Sequence, residues 1–282
     1  MKKLILLILL LRTFKTVAQG NCDQIVSDSK SKLPIPFAII KANDKTFYTD
    51  SLGYFRIDNQ ILNEITVSCL GYESKTVIVN CKESVIFLKP KAIVLPEIKV
   101  SPKFTKTKNL GVTEKTKISV SGLDGSIISV FIPNETSTQK VISKIVLPYK
   151  AVKHFTSSFR FHIYKIADNG KPGSEMIERN LVGHPRKKKG KIEIDVKEYN
   201  LMIPKEGIFI GIEWISSDNP NVDKKGNKLA SDIAIFMSKK SSEKYQCWEK
   251  QVPKESDWKP FSLQMRNQLS INVGLVVDEF TN

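Results

Sequence analysis

The 282-residue sequence predicts an all-β protein built of two sandwiches: a seven-stranded, immunoglobulin- or prealbumin-like one, then a larger one of jelly-roll type. Three observations carry this. Over residues 22–89, short apolar-alternating segments are broken by turn residues at the spacing of about 8–12 that marks small sandwiches. From residue 112 onward the alternating segments resume and lengthen. No stretch sustains the apolar period of a helix.

The first element, 1–19, reads as a secretory signal. Lys2-Lys3 is a basic start, Leu4 to Leu11 an apolar core, and Thr16-Val17-Ala18 a small-residue cleavage site. The apolar run is too short to span a bilayer, and no other segment approaches the roughly 20 residues needed. Cys22 lacks the small residue before it that lipid attachment requires.

Residues 20–89 form the first domain. Pro34 and Pro36 fix two φ angles and remove two donors, which suits the start or edge of a strand. Ala38–Lys41, Phe47–Thr49 and Tyr54–Ile57 follow as strands, with turns at Asn43–Lys45 and Asp50–Gly53. Asp50 can accept backbone N–H bonds and Gly53 can take positive φ. Phe55 and Ile57 share one face. Ile65, Val67 and Cys69 alternate with Thr66 and Ser68, the turn Gly71-Tyr72-Glu73-Ser74 follows, and Thr76–Val79 and Val85–Leu88 complete the set.

In this order Pro-Ile-Pro-Phe-Ala (34–38), Thr-Asp-Ser-Leu-Gly-Tyr-Phe (49–55) and Gly-Tyr-Glu-Ser (71–74) resemble the carboxypeptidase-like regulatory domain common in Bacteroidetes envelope proteins. The resemblance covers 22–89. It implies a β-sandwich scaffold without chemistry of its own, often placed before the plug and barrel of TonB-dependent receptors. Leu95–Val100 is similar to the segment that leads into that plug. A barrel of that class needs far more chain, so receptor function is not carried over. The similar domain of metallocarboxypeptidases follows a zinc enzyme. No zinc-ligand spacing occurs here, and that activity is not carried over either.

Residues 90–111 read as a linker, rich in Pro and Lys, with one strand-like piece at Ile93–Val100. In the second domain, 112–282, strands are expected at Ile127–Ile132, Val141–Leu147, Ser158–Lys165, Lys191–Val196, Gly207–Ile215, Ile233–Met237 and Leu269–Val277. Phe159, Phe161 and Ile163 face one way. Gly207–Ile215 is apolar on both faces, as a central strand is. Phe159–Tyr164 followed by Asp168–Gly173 is loosely similar to accessory jelly-roll domains of secreted bacterial proteins, and no residues are carried over from that.

The net charge is +15; removing residues 1–18 takes away four cations and no acid, leaving +11. Such an excess can favour polyanions, but Lys greatly outnumbers Arg, the better phosphate clamp. With an export signal, nucleic acid ranks last among partners. Of the four Cys, Cys69 and Cys81 fall too far apart in hairpin register to bond. First and last strands of such sandwiches often run side by side, which leaves Cys22–Cys81 as the plausible bridge and Cys69 as core.

Tests for chemistry are negative. No nucleophile elbow is present, and the three His residues show no ligand spacing. Asp168-Asn169-Gly170 lacks the later ligands of a calcium loop. Glu193, Asp195 and Glu213 lie on alternating strands and are expected to face solvent. No catalytic residue, metal or cofactor is assigned. Two weak binding candidates remain: the run Arg186, Lys187, Lys188, Lys189, for lipopolysaccharide phosphates or an acidic partner, and Tyr245, Trp248 and Trp258, which could stack sugars only if exposed. The expectation is an exported, non-catalytic envelope binding or assembly protein, in the periplasm, at the outer membrane or outside the cell. The alternative is a glycan-binding module or accessory subunit of a polysaccharide-processing system.

Overall fold

The computed structural model describes residues 21–43, 45–58, 64–79, 83–91, 104–112, 114, 116–136, 138–151, 156–216, 230–239, 244–252 and 257–280. Among them the chain is nearly all β. The expected signal (1–19) and the strand-like piece 93–100 lie outside these residues.

The N-terminal strands are β1 (Asn21–Asp28), β2 (Ile39–Ala42), β3 (Lys45–Tyr48), β4 (Tyr54–Asp58), β5 (Glu64–Ser68), β6 (Lys75–Ile78) and β7 (Val85–Leu88). They form a three-stranded sheet, β4-β1-β7, and a four-stranded sheet, β3-β2-β5-β6. First and last strands are parallel neighbours, Ile25 opposite Val85. Val26, Ile40, Phe55, Ile57, Ile65, Val67, Cys69 and Leu88 fill the core, so the alternation in β5 does place Ile65 and Val67 inward. Cys22 is disulfide-bonded, and Cys69 and Cys247 are free and buried; the expected partner, Cys81, lies outside the described residues.

The turn before β4 shows why its sequence is Asp-x-x-Gly. Asp50 Oδ1 accepts from the N–H groups of Leu52 and Tyr54, both at 2.8 Å. Gly53 sits at φ +76°, where a Cβ would come within 2.8 Å of the Val26 carbonyl. Gly53→Val is therefore expected to cost about 1–3 kcal/mol through backbone strain. Asp50→Ala, which removes hydrogen bonds without forcing the chain, should cost roughly 0.5–1.5 kcal/mol. Urea midpoints measure both; a Gly53→Val midpoint equal to the parent's would refute the turn assignment.

The second unit comprises β8 (Phe104–Gly111), β9 (Ser119–Val120), β10 (Ser126–Ile132), β11 (Lys140–Ala151), β12 (Ser157–Ile166), β13 (Pro172–Glu175), β14 (Leu181–Gly183) and β15 (Lys189–Asp195). It continues with β16 (Ile208–Ser216), β17 (Ile233–Ser238), β18 (Cys247–Gln251), β19 (Lys259–Pro260), a short helix α1 (Ser262–Asn267), β20 (Ser270–Ile271) and β21 (Gly274–Phe280). Strands β8-β21-β11-β15 lie in one sheet and β10-β16-β12-β14 in the other. The chain crosses between the sheets from β8 to β10, β10 to β11, β11 to β12, β14 to β15 and β15 to β16. That is jelly-roll connectivity. The remaining strands extend both sheets. Ile142, Ile145, Leu147, Phe159, Phe161, Ile163, Ile210, Ile212, Trp214, Leu275 and Val277 pack between the sheets.

The end of the expected linker behaves differently from its sequence. Phe104–Gly111 is β8, paired along β21 from Gly111 opposite Gly274 to Phe104 opposite Phe280. Its Lys-Thr-Lys-Asn stretch carries no apolar alternation because it is an edge strand, held by the ladder and by surface pairs such as Thr107 with Asp278 at 2.9 Å. The last expected strand, Leu269–Val277, is split into β20 and β21.

Candidate functional site

The strand β12 uses both of its faces. Phe159, Phe161 and Ile163 enter the jelly-roll core. Alternation sends Arg160, His162 and Tyr164 to the opposite face, yet all three are buried. On the neighbouring β16, Ile212 and Trp214 point inward and Glu213 outward, directly across from Arg160. Gly211 stands opposite His162, and a Cβ there would lie 2.8 Å from the Tyr164 ring. Glycine thus leaves room for the stacked rings of His162 and Tyr164, 5.5 Å apart.

What covers this face is the N-terminal sandwich. Glu213 Oε1 accepts from the Tyr48 hydroxyl of β3 at 2.7 Å. Its Oε2 accepts from Arg160 Nη1 at 3.2 Å and from His162 Nε2 at 3.0 Å. Arg160 also donates from Nη2 to the Phe37 carbonyl and from Nε to Asn180 Oδ1 at 2.9 Å, while Asn180 Nδ2 donates to the Pro36 carbonyl at 2.9 Å. His162 Nδ1 lies 2.7 Å from Glu175 Oε1. Arg160 is 2%, His162 7% and Glu213 1% exposed. Around the cluster, Lys91 pairs with Glu178 at 2.7 Å, and the Phe37 and His184 rings lie 5.7 Å apart. At Gly71, φ +88°, a Cβ would fall 2.5 Å from the Glu178 carbonyl, so only glycine permits that approach.

The electrostatics follow from this packing. Burial alone would raise the Glu213 carboxyl, but the Arg160 charge and the His162 and Tyr48 hydrogen bonds reverse that and hold it at about 2. Burial would lower His162, but Glu175 and Glu213 outweigh it and raise the imidazole to about 9. Both ring nitrogens face carboxylates, so the ring carries both protons at neutral pH. Burial, and then the Glu213 charge, pushes the Tyr48 phenol well above its usual range.

A folded-state pKa above the unfolded one stabilises fully below the unfolded value and loses that contribution as pH rises through the folded one. For His162 the loss therefore runs from roughly pH 6.5 to about 9. Glu213 works in the other direction: its contribution is present above roughly pH 4.3 and disappears as pH falls through about 2. The expected result is a melting temperature that declines between pH 6.5 and 9 more steeply in the parent than in His162→Gln. Parallel profiles would contradict the ion pairing.

Two carboxylates, Glu175 and Glu213, converge on His162, but every oxygen of Glu213 already faces a protein donor. Arg160, His162 and Glu213 are all buried beneath the first sandwich. An open hollow of about 340 Å³, lined by Lys165, Ile166, Ala167, Asp168, Pro204, Glu206 and Gly207, involves none of its members. No group of three or more His, Cys, Asp or Glu among the described residues is placed to hold a metal ion. No helix among them is long and apolar enough to cross a membrane.

The residues singled out from sequence are dispersed. Tyr245 is 9% exposed and packs in the jelly-roll core. Trp258 is 7% exposed, with Trp248 half-buried, in a smaller cluster with Ile127, Tyr164 and Phe209. Lys250 Nζ lies 4.4 Å over the Trp258 ring. The three aromatics therefore pack rather than present an open stacking surface. Arg186, Lys187, Lys188 and Lys189 are exposed. In the first sandwich, Pro34 bridges Ser27, Phe55 is core, and the Tyr72 hydroxyl donates to Asp28 at 3.1 Å. Glu213 corrects the solvent-facing expectation: the first sandwich covers it, a contact between residues 165 apart in sequence. Arg160, His162, Glu175, Asn180 and Tyr48 were not singled out as a group. The one local signal is an Arg and a Glu on the second face of strands whose first face is apolar.

No known protein family matches the chain, and no curated protein does. Among solved structures, infectious bursal disease virus Gt strain aligns at 10% identity and TM-score 0.29, over 94% of this chain and 61% of that one. The T6 backbone pilin of serotype M6 Streptococcus pyogenes aligns at 8% identity and TM-score 0.16, over 91% and 64%. This chain thus spans less than two thirds of either, and neither likeness is close enough to establish a shared fold.

Proposed function

We propose that the chain is an exported, non-catalytic binding or assembly protein of the cell envelope, with a carboxypeptidase-like regulatory domain docked on a jelly-roll sandwich as one unit. One observation carries the reading. Strongly shifted titratable groups cluster at functional sites, and here such a cluster, Arg160, Glu213, His162 and Tyr48, is closed on itself across the seam between the sandwiches. Its charges fix one domain on the other and leave none for a substrate. The motifs at 34–38, 49–55 and 71–74 support the regulatory-domain identity, and the basic start and apolar core of 1–19 support export.

Cell fractionation of the native host with N-terminal sequencing tests location; hydrolysis assays on polysaccharide and peptide substrates test chemistry. The expected mature chain begins at Gln19, in the envelope fraction, and its hydrolysis does not exceed that of Glu213→Gln. Cytoplasmic protein with Met1 intact, or a hydrolysis that Glu213→Gln abolishes, contradicts the proposal.

A further inference from the structure

We infer that one end of the antiparallel β11–β15 strand pair is a binding surface for an acidic polysaccharide. Lys150 of β11 and Lys189 of β15 are direct cross-strand partners, and Lys191 follows on the same face opposite Pro148. Arg186, Lys187 and Lys188 crown the turn that leads into β15. Five of these six cations are exposed, Lys150 partly so, and none has a carboxylate within ion-pair distance among the described residues. Like charges directly opposite one another destabilise a sheet. The other end of the same strand pair avoids this: Lys144 pairs with Glu193 at 3.3 Å. Charge is therefore segregated along the paired strands, and an anion at the basic end would relieve the repulsion built into it.

The cations are held on a frame. Tyr149 is 2% exposed, and its hydroxyl accepts from the backbone N–H groups of Arg186 at 3.0 Å and Lys187 at 3.2 Å. The Lys188 carbonyl accepts from Ala151 N–H at 2.7 Å. Lys189 Nζ rests 5.3 Å over the Phe236 ring. In the described structure β15 pairs only with β11, and lysines on a free edge discourage strand addition. That accounts for Lys189 and Lys191, but not for Lys150 facing Lys189 or for the cationic turn.

The chemistry of the surface selects the partner class. Lysines are point charges without the fork that grips one phosphate bidentately. Alternate positions along a strand are roughly 6.6 Å apart, a ladder for anionic groups hung along a chain. Among the described residues the Tyr149 and Phe236 rings beside the patch are buried, and single-stranded nucleic acid binds on exposed stacking platforms. The assignment deepens the binding role proposed above and rests on it.

The test measures binding of heparin, as a sulfated polysaccharide probe, and of single-stranded DNA at low and at near-physiological salt, using full-length protein. Lys187→Gln/Lys188→Gln/Lys189→Gln is expected to weaken heparin binding on the order of tenfold. Lys165→Gln/Lys197→Gln/Lys205→Gln removes the same charge elsewhere on the domain and is expected to change it less than about twofold. Tyr149→Phe, which alters no charge, is expected to weaken it by roughly threefold, because the turn loses its preorganisation. Melting curves confirm that each variant is folded. Equal loss in both triple variants, no effect of Tyr149→Phe, no heparin binding, or DNA bound as tightly as heparin would each overturn the assignment. These outcomes are independent of where the protein is found and of whether it hydrolyses anything.

Discussion

Arg160→Met is expected to destabilise the protein by about 3–5 kcal/mol, because removing one partner of a buried pair leaves the other charge uncompensated. Arg160 donates to Glu213, to Asn180 and to the Phe37 carbonyl, so its loss also releases the two backbone-linked contacts that tie the first sandwich down. The three tryptophans, 214, 248 and 258, all belong to the second sandwich. Tryptophan fluorescence therefore follows the jelly roll alone, while far-UV circular dichroism follows both units. In the parent the two urea transitions should coincide, as cooperative unfolding requires. In Arg160→Met the dichroism transition should begin at lower urea than the fluorescence transition. Arg160→Met/Glu213→Leu should recover part of the loss, since a buried ion pair is often replaceable by apolar side chains. Coincident transitions at an unchanged midpoint would show that the cluster contributes nothing to docking.

Trp214→Ala is expected to cost about 3–5 kcal/mol by a different route, the cavity left by a large core side chain. Trp214 is 0% exposed and meets Phe159 edge to face at 5.6 Å. Its indole N–H donates to the Ile233 carbonyl at 3.1 Å, so truncation also strands that acceptor. Gly122 lies against the ring, where a Cβ would be 2.6 Å from Cε3. Trp214 and Glu213 are adjacent on β16 and face opposite ways. Their variants should separate accordingly: Trp214→Ala lowers the jelly-roll transition itself, whereas loss of the Arg160–Glu213 pair lowers docking first. Dichroism and fluorescence shifting together in Trp214→Ala would fit. A midpoint within about 0.5 kcal/mol of the parent, the range typical of surface changes, would not.

Strands whose two faces have different surroundings were legible in the sequence. Phe159, Phe161 and Ile163 alternate with polar residues, so both the existence of β12 and its inward face could be read directly. The apolar Gly207–Ile215 identified a central strand, seen as β16. Asp50 and Gly53 announced their turn because the chemistry of that turn is local. Strand β8 was not legible: an edge strand needs only a backbone ladder, and Lys-Thr-Lys carries no face. The charge cluster was hidden for a related reason. Arg160 and Glu213 look solvent-facing on an alternating strand, and what buries them is Tyr48 and Phe37, more than a hundred residues away. Trp258 and Tyr245 sit in a polar stretch, yet Trp258 is buried by Ile127 of β10, Tyr164 of β12 and Phe209 of β16, and Tyr245 joins the jelly-roll core. Neither fact has a local signature.

The central claim is that the cluster of Arg160, Glu213, His162 and Tyr48 joins two sandwiches into one cooperative unit. Differential scanning calorimetry of the full-length protein near pH 6, where both His162 and Glu213 make their full contribution, tests it directly. The account predicts a single transition whose calorimetric and van't Hoff enthalpies agree, resolving into two in Arg160→Met. Two independent transitions in the parent, at the same temperatures as in Arg160→Met, would contradict it.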